Sequence, residues 1–131
     1  MAILDALGAY LQAQGQGTVA TDIFLARMPA TPDECVTLYE NQGIGPDHTF
    51  GAGVKAIDHQ RIRVYCRAGR NDYPTARTKA ENVRAVLGAI RGTTLSGVVI
   101  LSVLSTSELY PLQRDNDDRA IIGCDFTVWL S

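Results

Sequence analysis

The sequence contains few cysteines: Cys35, Cys66 and Cys124 are the three, and no two of them form a C-x-x-C pair. An odd number of widely spaced cysteines argues against a disulfide framework and against a thiolate zinc site. Each cysteine lies in a run with β-branched or aromatic residues, so we predict three free thiols buried as small hydrophobic side chains. Such thiols suit a reducing cytoplasm.

The sequence also lacks an excess of either charge. Twelve Lys and Arg against fourteen Asp and Glu give a formal net charge of -2. A dedicated nucleic-acid or membrane-surface protein usually has a basic excess, so this balance argues against both classes. Hydrophobic residues make up 46% and charged residues 20%, which excludes intrinsic disorder. The 131 residues predict a single domain over residues 1–131.

No long hydrophobic run is present. The longest, residues 98–104, is interrupted by Ser102 and is far too short to cross a bilayer. No basic segment precedes the apolar residues at the N-terminus, where Asp5 also lies, so we expect no signal peptide and no membrane partner.

The usual catalytic motifs are missing too. The sequence has no G-x-G-x-x-G, no G-K-[ST] and no G-x-S-x-G, so we predict neither an enzyme nor a cofactor. The two histidines, His48 and His59, each follow an aspartate, Asp47 and Asp58, and this residue set could ligate a transition metal. Because a glycine-rich segment separates the two pairs and fixes no geometry, we expect solvated loop residues and no metal site.

Local patterns predict two helices and five strands. The helical stretches have apolar residues three or four positions apart, and the strands alternate or are continuously apolar. In chain order we expect a helix over 2–14, strands over 22–28 and 35–40, a loop over 41–59, a strand over 61–67, a helix over 72–91, a strand over 98–105, a turn-rich stretch over 107–118 and a strand over 120–130. We expect the strand over 98–105 to be central and apolar on both faces. The order predicts an α+β fold, a mixed and mostly antiparallel sheet with two helices packed on one face.

The long glycine-rich segment over 41–59 is a candidate for contact with a partner. Long loops inside compact domains are usually functional or mobile. Its glycines cost backbone entropy to order, so we expect a partner to order it. The candidate residues of this partner loop are Gly43, Gly45, His48, Phe50, Gly51 and Gly53.

Charged residues recur on predicted surfaces. In the strand over 61–67, three arginines alternate with apolar residues, and Tyr65 lies between them. Guanidinium groups with an aromatic ring suit contacts with nucleic-acid backbone and bases, but the same row also suits a polar sheet face or a subunit interface. The candidate interface residues are Arg61, Arg63 and Arg67 of this row, Arg77, Glu81 and Arg84 of the second helix, and Asp115, Asp117 and Asp118 of an acidic turn.

The C-terminal third resembles a known family. The segment Glu-Leu-Tyr-Pro-Leu-Gln-Arg-Asp over 108–115, a short acidic turn, and a strand ending Phe-Thr-Val-Trp over 126–129 resemble phage minor capsid and tail terminator proteins, the tail-to-head joining proteins of long-tailed phages. The preceding order of elements matches as well. The resemblance implies an α+β sheet with two helices on one side, and it brings no catalytic residues.

The resemblance also implies a function. Family members form hexameric rings that cap the tail tube, stop its polymerisation and present a surface to the head connector. We therefore expect a structural protein of a phage or gene transfer particle, located at the tail-to-head junction and made in the host cytoplasm. Its partners would be itself, the tail tube protein and the connector proteins, and DNA would only pass through the ring lumen. Three alternatives remain: a head-side connector or stopper, a small nucleic-acid-binding module using the arginine row, and a metal-dependent enzyme or regulator using the two histidines.

Overall fold

The architecture is two helices against one curled sheet. The computed structural model describes residues 3–48, 56–70, 72–95, 97–113 and 118–130. Its elements are α1 (Ile3–Ala13), β1 (Ile23–Leu25), β2 (Cys35–His48), β3 (Ala56–Arg70), α2 (Tyr73–Gly88), β4 (Arg91–Leu95), β5 (Val98–Ser105), β6 (Tyr110–Pro111) and β7 (Arg119–Leu130).

The sheet has the strand order β1-β2-β3-β7-β5-β4, and β6 also pairs with β7. Only the short β1 pairs in parallel, with β2, and every other pair is antiparallel. The predicted α+β fold with a mixed, mostly antiparallel sheet is confirmed. The two long strands β3 and β7 lie side by side at its centre.

Both helices cover the same face of the sheet. Alternate residues of β3 and β7 enter one hydrophobic cluster together with the apolar sides of α1 and α2. In α2 the buried residues are three or four positions apart and begin with small side chains, which allow the helix to approach the strands: Ala76, Ala80, Val83 and Leu87. The face opposite the helices is called the open face below.

The start of α2 follows the local signals of the sequence. The Asp72 carboxylate accepts a hydrogen bond from the backbone N–H of Thr75 at 3.4 Å, and Pro74 lies in the first turn. This side-chain cap satisfies one of the amide groups that a helix leaves free at its N-terminus. The helix ends earlier than predicted, at Gly88, because the chain from Arg91 onward enters a strand.

The prediction of a loop over 41–59 is wrong for most of this range. β2 continues to His48 and β3 begins at Ala56, so Gly43, Gly45 and His48 lie in a strand, whereas Phe50, Gly51 and Gly53 lie outside the described residues. The β2–β3 register shifts twice, between Asn41 and Ile44 and between Ile44 and Asp47. Such irregularities place glycines within a paired strand, which local propensity alone does not anticipate.

The edge beyond β7 also differs from expectation. β4 was not predicted, because its sequence Arg-Gly-Thr-Thr-Leu has no hydrophobic pattern and includes Gly92 at φ +54°. β5 lies between β7 and this edge strand, with Leu101 38% and Leu104 44% exposed. We expected this strand to be central and apolar on both faces, but β5 is buried only on the face that the helices cover.

All three cysteines are free and buried, which confirms the prediction from their spacing. Burial raises the pKa of the Cys66 thiol from 9.0 to about 12, so the folded protein holds this group protonated in mild alkali. The unfolded chain releases the same proton at lower pH. The contribution of this thiol to stability is therefore complete below about pH 9 and is lost as the pH rises towards 12.

We expect the free energy of unfolding to fall between pH 9 and pH 12, and to fall less steeply in Cys66→Ala. Denaturant titrations of both proteins across this range measure the difference. The pH slope of Cys66→Ala must be subtracted from that of the wild type, because burial also raises the pKa of Tyr110, and the titration of Tyr110 adds to the slope in both proteins. Identical pH slopes in the two proteins would rule out this role of Cys66.

Candidate interaction site on the open face

A network of polar side chains lies on the open face where β2, β3 and β7 adjoin. Arg63 of β3 is directly opposite Tyr39 of β2 and Asp125 of β7. Residues directly opposite in neighbouring strands point to the same side of the sheet, so these three side chains share the open face. Tyr65 is on the same face two residues further along β3.

Asp125 is the centre of this network. One carboxylate oxygen, Oδ1, accepts hydrogen bonds from Arg63 Nε at 3.0 Å and from the Tyr110 hydroxyl at 2.9 Å. The backbone of the same residue is also held, because its N–H donates to Ser107 Oγ at 3.1 Å and its carbonyl accepts from the N–H of Thr106 at 2.9 Å. The carboxylate is therefore fixed in position, and it orients the Arg63 guanidinium in turn.

Tyr110 reaches Asp125 because of a glycine. Gly123 lies directly opposite Tyr110, and a Cβ atom at this position would be 2.5 Å from Tyr110 Cε2. Only a residue without a side chain lets the ring lie over the strand at this distance. The hydroxyl then meets Asp125 two residues along β7.

Both donors of the network stay protonated at neutral pH. The hydrogen bond to Asp125 raises the pKa of Arg63 still further above its usual range. Burial, and then the hydrogen bond to Asp125, raise the pKa of Tyr110 above its usual range. The arrangement is therefore a constant structural feature at the pH of a cell and does not act as a pH switch.

Beside this network lies a cavity, which we call the Arg63 notch. It has a volume of about 380 Å³ and is lined by Tyr39, Glu40, Arg63 and Tyr65. Two of these lining residues, Tyr39 and Tyr65, pack against each other, with their ring centroids 5.3 Å apart and their planes inclined at 60°. Arg63 is 37% exposed, and its Nε bond to Asp125 leaves four N–H groups on the terminal nitrogens. Tyr65 takes part in one further hydrogen bond with this side chain.

Arg67 does not belong to an exposed row. Its side chain is only 3% exposed, and it donates from Nε to the Asp33 carbonyl at 3.0 Å and from Nη2 to the Pro32 carbonyl at 2.7 Å. Arg119, also buried, bonds to the carbonyl of Ala30 and to the Asp33 carboxylate. The segment over 30–33 thus covers this end of the open face. Arg67 stabilises the fold by holding this segment against the sheet.

The other charged candidates lie elsewhere. On α2, Arg77 Nε is 3.1 Å from Glu81 Oε1, and Arg84 Nη1 is 3.3 Å from Glu108 Oε2. The structure therefore separates this helix surface from Arg61 and Arg63 by the thickness of the sheet. Asp118 is 3.8 Å from Arg70 near one end of β3, and Asp115 and Asp117 lie outside the described residues.

The histidine-based alternative uses His48, Asp47 and Asp58, whose side chains lie outside the described ones. Among the side chains that the structure does describe, no group of three His, Cys, Asp or Glu is placed to hold a metal ion. The His59 ring instead packs against Trp129, with ring centroids 3.8 Å apart. Among the described helices, none is long and apolar enough to cross a membrane.

Four residues of this site were not anticipated from the sequence: Tyr39, Glu40, Tyr110 and Asp125. The alternation of β7 does place Asp125 on the polar side of its strand. However, the register that sets it opposite Arg63 depends on the pairing of strands 62 residues apart. The close packing of Tyr110 on Gly123 likewise has no local signature.

Comparisons with known proteins agree with this architecture. The family model described as bacteriophage tail terminator protein matches residues 10–130. A chain from a solved structure, "Virion of native gene transfer agent (GTA) particle", has a similar fold with a TM-score of 0.69 at 16% identity, covering 98% of this chain and 94% of that chain. A second solved chain is similar at a TM-score of 0.49 and 17% identity, covering 97% and 89% of the two chains. No curated protein matches in sequence.

Proposed function

The chain belongs to the bacteriophage tail terminator family, and we propose that it ends the polymerisation of the tail tube as a ring at the tail-to-head junction. It is accordingly a structural protein of the virion. The proposal treats residues 1–131 as one terminator domain, and it requires no catalytic residue and no cofactor. The match of the family model over residues 10–130 is the observation that carries it.

The ring is proposed to contain six copies of the chain. One side would contact the tail tube protein and the other the head–tail connector proteins, while DNA passes through the lumen. A closed cyclic ring needs a heterologous contact, in which one surface meets a different surface of the neighbour. A chain with charged patches of both signs at separate places and a net charge of only -2 suits such a contact.

The proposed interface uses polar surfaces of the fold. Its residues are Arg61 and Arg63 on the open face, Arg77, Glu81 and Arg84 on α2, and Asp115, Asp117 and Asp118 of the acidic turn. Arg67 is left out because it is buried. We retain Gly43, Gly45, His48, Phe50, Gly51 and Gly53 as a segment for contact with the tail tube or the connector; the first three lie in β2, and the other three are outside the described residues.

The nucleic-acid alternative loses support from the same geometry. Of the three arginines in the row, Arg67 is buried and Arg63 is paired with a carboxylate. A surface that binds nucleic acid needs several phosphate contacts from accessible cations, and a single remaining arginine in a chain of net charge -2 does not provide them.

The decisive experiment removes the protein from assembling particles. In a phage that encodes this chain, deletion of its gene is expected to give tails of abnormal and variable length that do not join heads. Adding back purified protein to purified tail tubes should place one ring on each tube end. Electron microscopy of tail lengths and tube ends measures both effects. Tails of normal length joined to heads in the deletion strain would overturn the proposal.

A further inference from the structure

A short segment between β1 and β2 crosses one end of the open face. We call it the strap, residues 27–33. It begins directly after Ala26, whose left-handed φ of +66° ends β1 and whose N–H donates to the Leu38 carbonyl at 2.7 Å. The chain returns to the sheet at Cys35, the first residue of β2. The strap is therefore attached to the sheet at both of its ends.

Polar bonds hold the strap in its place. Arg67 and Arg119 donate to the carbonyls of residues 30, 32 and 33, and Arg119 also pairs with the Asp33 carboxylate. The backbone of Met28 is hydrogen-bonded to the Tyr39 side chain. No strap residue is buried, and none belongs to the hydrophobic cluster or packs against it. Lifting the strap would thus break charged hydrogen bonds but expose little apolar surface.

The cost of lifting the strap is lower than the cost of unfolding the chain. The two guanidinium groups return to water when the strap lifts, which offsets part of the loss of their hydrogen bonds. Unfolding of the rest of the chain exposes the whole hydrophobic cluster instead. A segment with few buried apolar contacts opens at a lower free energy than the core does. The strap has this property, whereas β2, β3 and β7 do not.

The side chains beneath the strap also favour its opening. Cys35 and Thr37 point to the open face, since they alternate with the core residues Val36 and Leu38, yet both are 0% exposed. Cys35 is directly opposite Arg67, which is bonded to the strap. Among the described residues, the Thr37 hydroxyl has no hydrogen-bond partner besides the Cys35 thiol, a weak one. Water satisfies this hydroxyl once the strap is lifted.

We infer that the strap is a gate: it lifts from the open face while β1, the rest of the sheet and both helices stay folded, and the lifted form alone gives water access to Cys35 and Thr37. The gate is a property of the single chain and does not depend on the proposed ring. An adduct on Cys35 holds the gate open, because a thiol that is 0% exposed leaves no room for an added group beneath the closed strap.

Thiol labelling of the full chain, at concentrations too low for assembly, measures the opening. The sulfur of a cysteine bonds to one alkene carbon of N-ethylmaleimide while its proton goes to the other, and mass spectrometry follows each cysteine separately. Cys35 is expected to react at least about tenfold faster than Cys66, which lies in the hydrophobic cluster. Urea should accelerate Cys66 steeply and Cys35 weakly, because the urea dependence scales with the surface exposed. Equal rates with equal urea dependence would overturn the gate.

A core substitution separates the gate from global unfolding. Phe126→Ala affects residues that stay packed in the lifted form, so it destabilises the closed and lifted forms alike. It should speed the labelling of Cys66 by about a hundredfold or more and leave that of Cys35 unchanged. Ile100→Val, a smaller change in the same core, should show the same selectivity with a smaller acceleration. Equal acceleration of both cysteines by either variant would contradict a separate opening.

A substitution at the strap gives the opposite result. Arg119→Gln removes the bonds to Ala30 and Asp33, so it should speed the labelling of Cys35 by about tenfold or more. Arg61→Gln is the matched control, because this arginine is exposed on the same face and should leave the rate unchanged. An unchanged rate in Arg119→Gln would show that Cys35 becomes accessible by another route and would overturn the gate.

Proteolysis of the labelled protein is an independent measurement. Arg27 is an exposed residue of the strap, and trypsin cuts after an arginine where the chain can leave its fold. A chain with N-ethylmaleimide on Cys35 alone should be cut after Arg27 at least about tenfold faster than the unlabelled chain, and its circular dichroism should remain that of the folded protein. An unchanged rate of cleavage, or loss of the fold on labelling, would overturn the inference.

Discussion

Replacing Phe126 by alanine is expected to lower the free energy of unfolding by about 3–5 kcal/mol. Among the described residues, Phe126 has the largest fully buried side chain, with 1% exposure. It lies at the middle of the sheet between Ile62 of β3 and Ser105 of β5. Its removal loses the burial of an aromatic ring and leaves a cavity that the two neighbouring strands hold open. The loss would be a large share of the total stability of a typical domain, about 5–15 kcal/mol.

Thermal and denaturant unfolding of the purified variant measure this effect. The matched control is Leu104→Ala on the adjacent strand, whose side chain is 44% exposed on the open face and should cost less than about 0.5 kcal/mol. A cost below about 1 kcal/mol for Phe126→Ala would show that the core is not packed around this ring.

Arg67→Ala is expected to destabilise the chain by about 2–4 kcal/mol, although arginines are usually replaceable at little cost. The buried guanidinium donates to the carbonyls of Pro32 and Asp33, and its removal takes both of these charged hydrogen bonds from the segment over 30–33. The aliphatic part of the side chain also contributes packing. The segment over 30–33 should therefore detach from the sheet and exchange its amide hydrogens faster.

Arg61→Ala provides the comparison for this prediction. Arg61 lies on the same face of the same strand, but its side chain is exposed, so its loss should change the free energy of unfolding by less than about 0.5 kcal/mol. Chemical denaturation of the two variants, with hydrogen exchange over 28–34, is the measurement. Equal costs for the two substitutions would contradict the assignment of Arg67 to the fold.

The sequence by itself was sufficient for features with local causes. The stripe of Ala76, Ala80, Val83 and Leu87 predicts α2 and its buried side, because helical periodicity places these residues on one face. The alternation from Ile122 to Leu130 predicts β7 in the same way. The burial of the cysteines also followed from their apolar neighbours. In each case, the residues that determine the structure are close together in the chain.

Only the tertiary structure decided which polar residues form a site. Arg63 and Arg67 have the same alternation and cannot be told apart locally, yet one borders a notch and the other is buried under the segment over 30–33. The difference depends on how β1 and the segment after it pack against β2, which are long-range contacts. Likewise, the glycine-rich part of β2 is a strand because β3 pairs with it across two register shifts. Neighbouring strands supply the hydrogen bonds and the burial here. The sequence near each residue does not indicate which strand will pair with it.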